Sequence, residues 1–351
     1  MPKLSICIPT YNRVDDLKAC MKYLMPQVEC LLPDLVEVVI VNNASIDETR
    51  DFINVLAAKH NFVRVFHNEN NIGLDGNTVK CIEYANGNYT AILSDDDRYT
   101  SGTVQAILDV IEKDEYAQIN LNYYSFLGDR VDHPCNTFAP NRDMEFARAF
   151  DILNYPSVGH FSGFVYNTAL AKKALADMCD NGSIPSAENA TESGRRGTYL
   201  EIAVRIAANT TLPAYFIGAR KVAVKVQVDH NTVPMGYLRI REICIDYYYF
   251  MERLYKEGLL TDSDFEYRRT LVLSWLPGMI ARNAAYANCA EFSKIAKEMS
   301  SVLGEDVRYR RRVAPILSFA CNPMGRVLLC YLVRFRDFFR KYAAIYHAPK
   351  D

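Results

Sequence analysis

At 351 residues, with 50% hydrophobic and 12% aromatic content, the chain has room for one large domain or two smaller ones and is neither disordered nor fibrous. A formal net charge of -2 excludes the strongly basic balance of a nucleic-acid-binding protein. The charge is unevenly spread, because from Arg308 to Lys341 nine basic residues stand against one acid, Asp337.

The first half alternates strand and helix patterns. Leu4 to Ile8 reads as a strand, Asp15 to Leu24 as a helix and Val36 to Val41 as a β-branched strand. Ser45-Ile46-Asp47-Glu48 has the form of a capping box, with Ser45 and Glu48 placed to satisfy the first free amides of a helix running to about Lys59. Strands at Val63 to Phe66, Tyr89 to Leu93 and Ile119 to Tyr124 are separated by helices at Asp75 to Ala85 and Thr103 to Lys113. Such alternation predicts a mainly parallel sheet with helices on both faces. Residues 180–197, rich in Gly, Ser, Asn and charge, read as a long loop. Tyr199 to Ala208 then reads as a helix, Val222 to Val228 as a strand ending at His230, and the chain beyond about Tyr237 as helical. The ten cysteines form no CxxC pair and are expected to be free thiols. Polar residues from Pro9 onward leave no signal-peptide core, and no apolar run approaches a membrane span, so the expected location is the cytoplasm.

Ligands of parallel sheets bind beyond the carboxyl ends of the strands. Three polar segments follow strands directly: Pro9 to Arg13, Asn42 to Ser45 and Ser94 to Asp97. The run Asp95-Asp96-Asp97 is the sharpest signal, because adjacent carboxylates repel one another and a hard divalent cation, Mg²⁺ or Mn²⁺, relieves that repulsion.

LSICIPTYNR, VVIVNNASIDET, NENNIGLDGN and ANGNYTAILSDDD, in that order, resemble the inverting family 2 glycosyltransferases of the GT-A fold, in particular the abequosyltransferase-like enzymes of bacterial polysaccharide assembly. The resemblance covers residues 3–125 well and continues more loosely to about 232. It implies a Rossmann-like α/β catalytic domain over 1–235, with a nucleotide-binding half to about 125 and an acceptor half from 126, followed by a helical region over 236–351. It implies a nucleoside-diphosphate sugar donor and a saccharide acceptor, lipid-linked in many such enzymes, with no nucleic acid. Pro9, Thr10 and Tyr11 match the first nucleotide-binding turn, which ends at Arg13, and Tyr11 packs on the base there. Asn43 stands where the family usually places a base-contacting Asp. Asp95, Asp96 and Asp97 cover the DxD-type site, Asp95 toward the nucleotide and Asp96 and Asp97 toward the metal. His230 matches a histidine that some members place near metal and diphosphate. The family's acidic pair before a second-half helix is absent: GTYLEIAVR has Thr198 and Tyr199 there. An exposed Glu201 is therefore the first candidate general base, followed by Glu192 and Glu188, with His160 as an outsider.

A nucleotidyltransferase would carry a glycine-rich phosphate loop where this chain has IPTYNR. A sugar-nucleotide-binding protein without turnover is the non-enzymatic alternative. Tyr247 to Phe250 point in different directions at helical spacing and read as part of a packed helix, not as a sugar-stacking platform. Met324, Leu328, Tyr331, Leu332, Phe335, Phe338, Phe339, Tyr342 and Tyr346 form an apolar stripe opposed by arginines. This pattern suits a helix lying on the cytoplasmic face of a membrane.

Overall fold

A computed structural model describes residues 1–31, 34–155, 159–180, 197–226, 247–283, 289–329 and 331–332. The chain forms two compact units, Met1–Val228 and Asp229–Asp351. The expected boundary at 235 lies outside the described residues.

The first unit is a sheet wrapped by helices. It begins with β1 (Leu4–Thr10), α1 (Val14–Glu29), β2 (Val36–Asn42), α2 (Thr49–Lys59), β3 (Val63–His67), α3 (Gly73–Tyr84) and β4 (Tyr89–Ile92). It continues through β5 (Arg98–Tyr99), α4 (Thr103–Lys113), β6 (Gln118–Leu127), β7 (Asn136–Thr137), β8 (Met144–Phe146) and α5 (Ala149–Ile152). The last elements are β9 (Phe164–Asn167), α6 (Thr168–Asp180), α7 (Thr198–Ala208) and β10 (Ala214–Val226). Every residue of β1 and β2 is buried, which is why both read as nearly continuous apolar runs. Leu4, Ile6 and Ile8 of β1 join Leu17, Met21 and Leu24 of α1 and Ile107 of α4 in one core.

The sheet order is β3-β2-β1-β4-β9-β6-β10-β5. β1 pairs in parallel with β2 and β4, and β6 with β10. β9 runs antiparallel between β4 and β6, and β5 is antiparallel to β10, so the sheet is more mixed than its sequence pattern predicts. The chain leaves β1 toward β2 and β3 and later returns on the other side as β4. That reversal makes the carboxyl ends of β1 and β4 a topological switch point. Pro9 is tolerated in this central strand because β1–β4 pairing ends at Cys7↔Ile92.

The second unit is helical where described: α8 (Tyr247–Lys256), α9 (Asp262–Asn283), α10 (Cys289–Leu303) and α11 (Ala314–Ala320). Its core gathers Tyr248, Leu276, Ile280, Phe292, Ile295 and Leu317. Tyr248 is buried and Tyr249 is 40% exposed, as a packed α8 requires. No helix among the described residues is long and apolar enough to cross a membrane.

Candidate active site

The two loops beside the switch point are latched together. After β1 the backbone turns left-handed at Asn12 (φ 51°), and after β2 at Ala44 (φ 60°). The Asn12 amide donates to Ser45 Oγ at 2.9 Å, and the Ile46 amide donates back to Asn12 Oδ1 at 2.8 Å. The Val14 amide donates to Asp47 Oδ2 at 3.1 Å. Ser45 is therefore spent on the neighbouring loop, and the expected capping box does not form: α2 begins after Glu48 without a side-chain cap. Asp47 does the nearer work, accepting from the Thr49 amide at 3.1 Å. Burial pushes its carboxyl up, but the bonds from Thr49 and Val14 outweigh that and leave its pKa lowered.

Below this latch lies the acidic run. Asp95 is 3% exposed; its Oδ2 accepts from Thr10 Oγ1 at 2.8 Å and its Oδ1 from Arg13 at 3.1 Å. The same guanidinium nitrogen reaches Asp96 Oδ2 at 3.1 Å, so Arg13 bridges the two carboxylates. Burial is the main cause that pushes the Asp95 carboxyl up to about 7, Asp96 adds repulsion, and Arg13 only partly offsets both. Ser94 Oγ also donates to Asp96 Oδ1 at 2.5 Å.

Asp97 is bound differently. His160 Nε2–H donates to its Oδ2 at 2.7 Å, Ser162 Oγ to the same oxygen at 2.5 Å, and the Lys225 amide to its Oδ1 at 3.1 Å. Ser162 Oγ also accepts from the Ser94 amide at 2.9 Å, and the His160 ring lies against Tyr123 with centroids 4.9 Å apart. Asp97 ties the end of β4 to β9 and β10. Sequence reasoning gave no part to Ser162, and it named His160 only as an outside candidate for the base. Neither lies near Asp97 in the chain, and only the insertion of β9 beside β4 brings them there.

The structure corrects two further expectations. Asn43 Nδ2 donates to Asn71 Oδ1 at 2.7 Å and to the Gly73 carbonyl at 3.2 Å. Its Oδ1 accepts from Asn68 Nδ2 and the Ile72 amide, both at 3.0 Å. An amide side chain has two donor and two acceptor positions, and all four are filled. Asn43 therefore holds the 68–73 loop and, at 2% exposure, has no free group for a base. Glu201, expected at the surface, is 4% exposed. Its Oε1 accepts from Arg205 Nε at 3.0 Å, one turn along α7, and Arg205 is equally buried. A carboxylate buried and held in this way is not open to an acceptor hydroxyl.

Tyr11 is 41% exposed and open to a planar ligand, whereas Pro9 is buried at the end of β1. His230, Glu188 and Glu192 lie outside the described residues. Among the described residues no three His, Cys, Asp or Glu side chains group as a metal site would need.

A mixed sheet covered by helices, with a switch point between β1 and β4 and the Asp95–Asp96 pair just beyond β4, defines the class: a GT-A-fold protein. Residues 5–174 match the model of glycosyl transferase family 2. It is 36% identical over 95 residues to abequosyltransferase RfbV of Salmonella typhimurium, covering 27% of this chain and 28% of that one. It is 30% identical over 109 residues to the GalNAc(5)-diNAcBac-PP-undecaprenol beta-1,3-glucosyltransferase of Campylobacter jejuni, covering 31% and 34%. The chain thus spans about a third or less of the length of these curated relatives. S. aureus TarS 1-349 in complex with UDP shares the fold at a TM-score of 0.61 and 15% identity, over 95% of this chain and 91% of that one.

Proposed function

We propose that the chain is a metal-dependent glycosyltransferase that moves a sugar from a nucleoside diphosphate to an acceptor hydroxyl with inversion, in assembly of a bacterial surface polysaccharide or glycoconjugate. The observation that carries this reading is the Asp95–Asp96 pair beyond the carboxyl end of β4, bridged by Arg13, with Ser94 Oγ also donating to Asp96 Oδ1 at 2.5 Å. The donor set fits Mg²⁺ or Mn²⁺: hard oxygen ligands, one or two carboxylates from the chain, with the remaining positions left to diphosphate oxygens. Asp96, the more open of the two, is the ligand in this reading, and Asp95 lies beside it. When bound, the ion supplies positive charge against the charge that grows on the departing diphosphate.

The chain's own residues do the rest. Tyr11 stacks on the base, and Thr10 fixes the Asp95 carboxylate. Arg13 is free to pass from the carboxylates to a phosphate once another cation replaces it. Asp97, assigned to the metal from sequence, positions the strand end through its three donors. His230 remains in the proposal as a further ligand. Inversion requires a base at the acceptor hydroxyl. With Glu201 committed to Arg205, that role passes to Glu192, and Glu192→Gln is expected to lower turnover roughly 10²-fold or more with nucleotide affinity unchanged. Attachment to the cytoplasmic face of a membrane, with a lipid-linked saccharide as acceptor, belongs to the same reading.

The Glu201–Arg205 pair favours one alternative, a sugar-nucleotide-binding protein without turnover. A thermal-shift panel of UDP, CDP, GDP and dTDP with and without Mn²⁺ tests the proposal. Stabilisation by one nucleotide, increased by Mn²⁺, is expected; no response to any of the four would overturn both readings. Turnover of the matching sugar nucleotide then separates enzyme from binder.

A further inference from the structure

The second unit carries a surface unlike its other faces. α11 follows directly on a wide π-type turn, Tyr309–Val313, and the chain is helical again over 323–329. An open groove of about 1100 Å³ runs here, with Pro315, Phe319, Met324, Leu328 and Tyr331 among its walls. The apolar side chains stand in the open: Met324 is 83% exposed, Tyr331 65%, and Val327, Leu328 and Leu332 about half. A contiguous exposed apolar patch marks a site of interaction with another surface.

Charge identifies the partner. From 307 to 332 the sequence holds five arginines, Arg308, Arg310, Arg311, Arg312 and Arg326, and no Asp or Glu. Arg308 is engaged by Asp306 and Glu266, while Arg310, Arg311 and Arg312 are exposed. Arg311 and Arg312 sit one helical turn before Pro315 and Ile316, on the approach to the groove wall formed by Phe319. An apolar face flanked by exposed arginines complements the headgroup region of an anionic bilayer.

We propose that the face from Arg311 to Leu332 is a lipid-binding surface that docks the protein in the interface of an anionic membrane without spanning it. The apolar groove residues enter between the headgroups, and the exposed arginines meet the lipid phosphates. This surface rests on the membrane attachment in the reading above and gives it a site, and flotation tests it separately from nucleotide binding and turnover.

The test is flotation of the full-length protein with phosphatidylcholine vesicles, with and without phosphatidylglycerol, at low and high salt. Two double variants accompany the wild type, Leu328→Glu/Tyr331→Glu and Arg311→Glu/Arg312→Glu. All the substituted side chains are exposed, so each variant keeps its core, which circular dichroism checks. Wild type floats with the anionic vesicles at low salt and not with the neutral ones. Partitioning falls roughly thirtyfold or more in the arginine variant, and the apolar variant stays with the unbound protein. A wild type that never floats overturns the proposal, as it would if the chain's own residues 333–351 cover the face. Variants that float like wild type overturn it too. So does a wild-type dimer that Leu328→Glu/Tyr331→Glu converts to a monomer without any change in flotation.

Discussion

Asp95, just beyond β4, and Asp306 of the helical unit present the same chemical group in opposite electrostatic states. Asp306 accepts from Arg308 through its amide at 2.7 Å and its guanidinium at 2.6 and 3.1 Å, and Arg269 adds a contact at 3.0 Å. The Arg308 bonds, working against burial, hold its carboxyl down at about 2. Asp95 has one shared guanidinium for two carboxylates and is pushed up to about 7. Asp306 has two guanidinium partners, Arg308 and Arg269, whereas Asp95 shares Arg13 with Asp96. Acid content alone does not distinguish a structural carboxylate from a binding one; the balance of burial against bonded partners does.

The largest expected effect comes from breaking the Asp95–Asp96 pair. Asp96→Ala should lower turnover by about 10³-fold or more, with the fold intact by circular dichroism. Full activity of this variant would show that the pair is only a surface turn. Next comes Glu201, a second self-neutralised acid. Glu201→Leu leaves Arg205 buried without its partner and should cost about 3 kcal/mol or more of stability, read as a lower Tm. A variant of normal stability and greatly reduced turnover would return Glu201 to the role of base.

Asn43→Ala empties four hydrogen bonds at once and should destabilise the first unit by about 1–3 kcal/mol. Nucleotide affinity should fall only as far as the 68–73 loop loosens. A large loss of affinity with unchanged stability would mean that the amide meets the base after all.

Asp306→Asn gives the smallest effect and bears directly on the comparison. The folded carboxyl has a pKa of about 2, below the unfolded value of about 3.9. The unfolded chain therefore binds the extra proton, and the stabilisation is present above about pH 4 and lost as pH falls toward about 2. The variant should flatten that part of the acid-denaturation profile by about 1–2 kcal/mol. An unchanged profile would remove Asp306 from the account.

The parallel core of the fold was legible, because β1, β2 and β4 are buried and largely apolar, β3 is β-branched and half-buried, and helices join them. β9 was not: Phe164–Asn167 is four residues long with no turn signal that sets it between β4 and β6. The acidic run and the turn after β1 were legible as residues following strands. Their partners were harder to find, since Thr10 and Arg13 meet Asp95 across more than eighty residues of chain. Asn43 and Glu201 were misjudged for a shared reason. Sequence position identifies a polar side chain but not whether neighbours from α3, its leading loop or the next helical turn have already filled its hydrogen bonds.

The most direct test of the central claim is a Mn²⁺ titration followed by electron paramagnetic resonance, on wild type and Asp96→Ala, each with and without the nucleotide chosen by thermal shift. The account predicts that wild type removes free Mn²⁺ from solution strongly when the nucleoside diphosphate is present and weakly without it. Asp96→Ala should do neither while still binding the nucleotide. Equal Mn²⁺ binding by the two proteins, or none by wild type in the presence of the nucleotide, would contradict it.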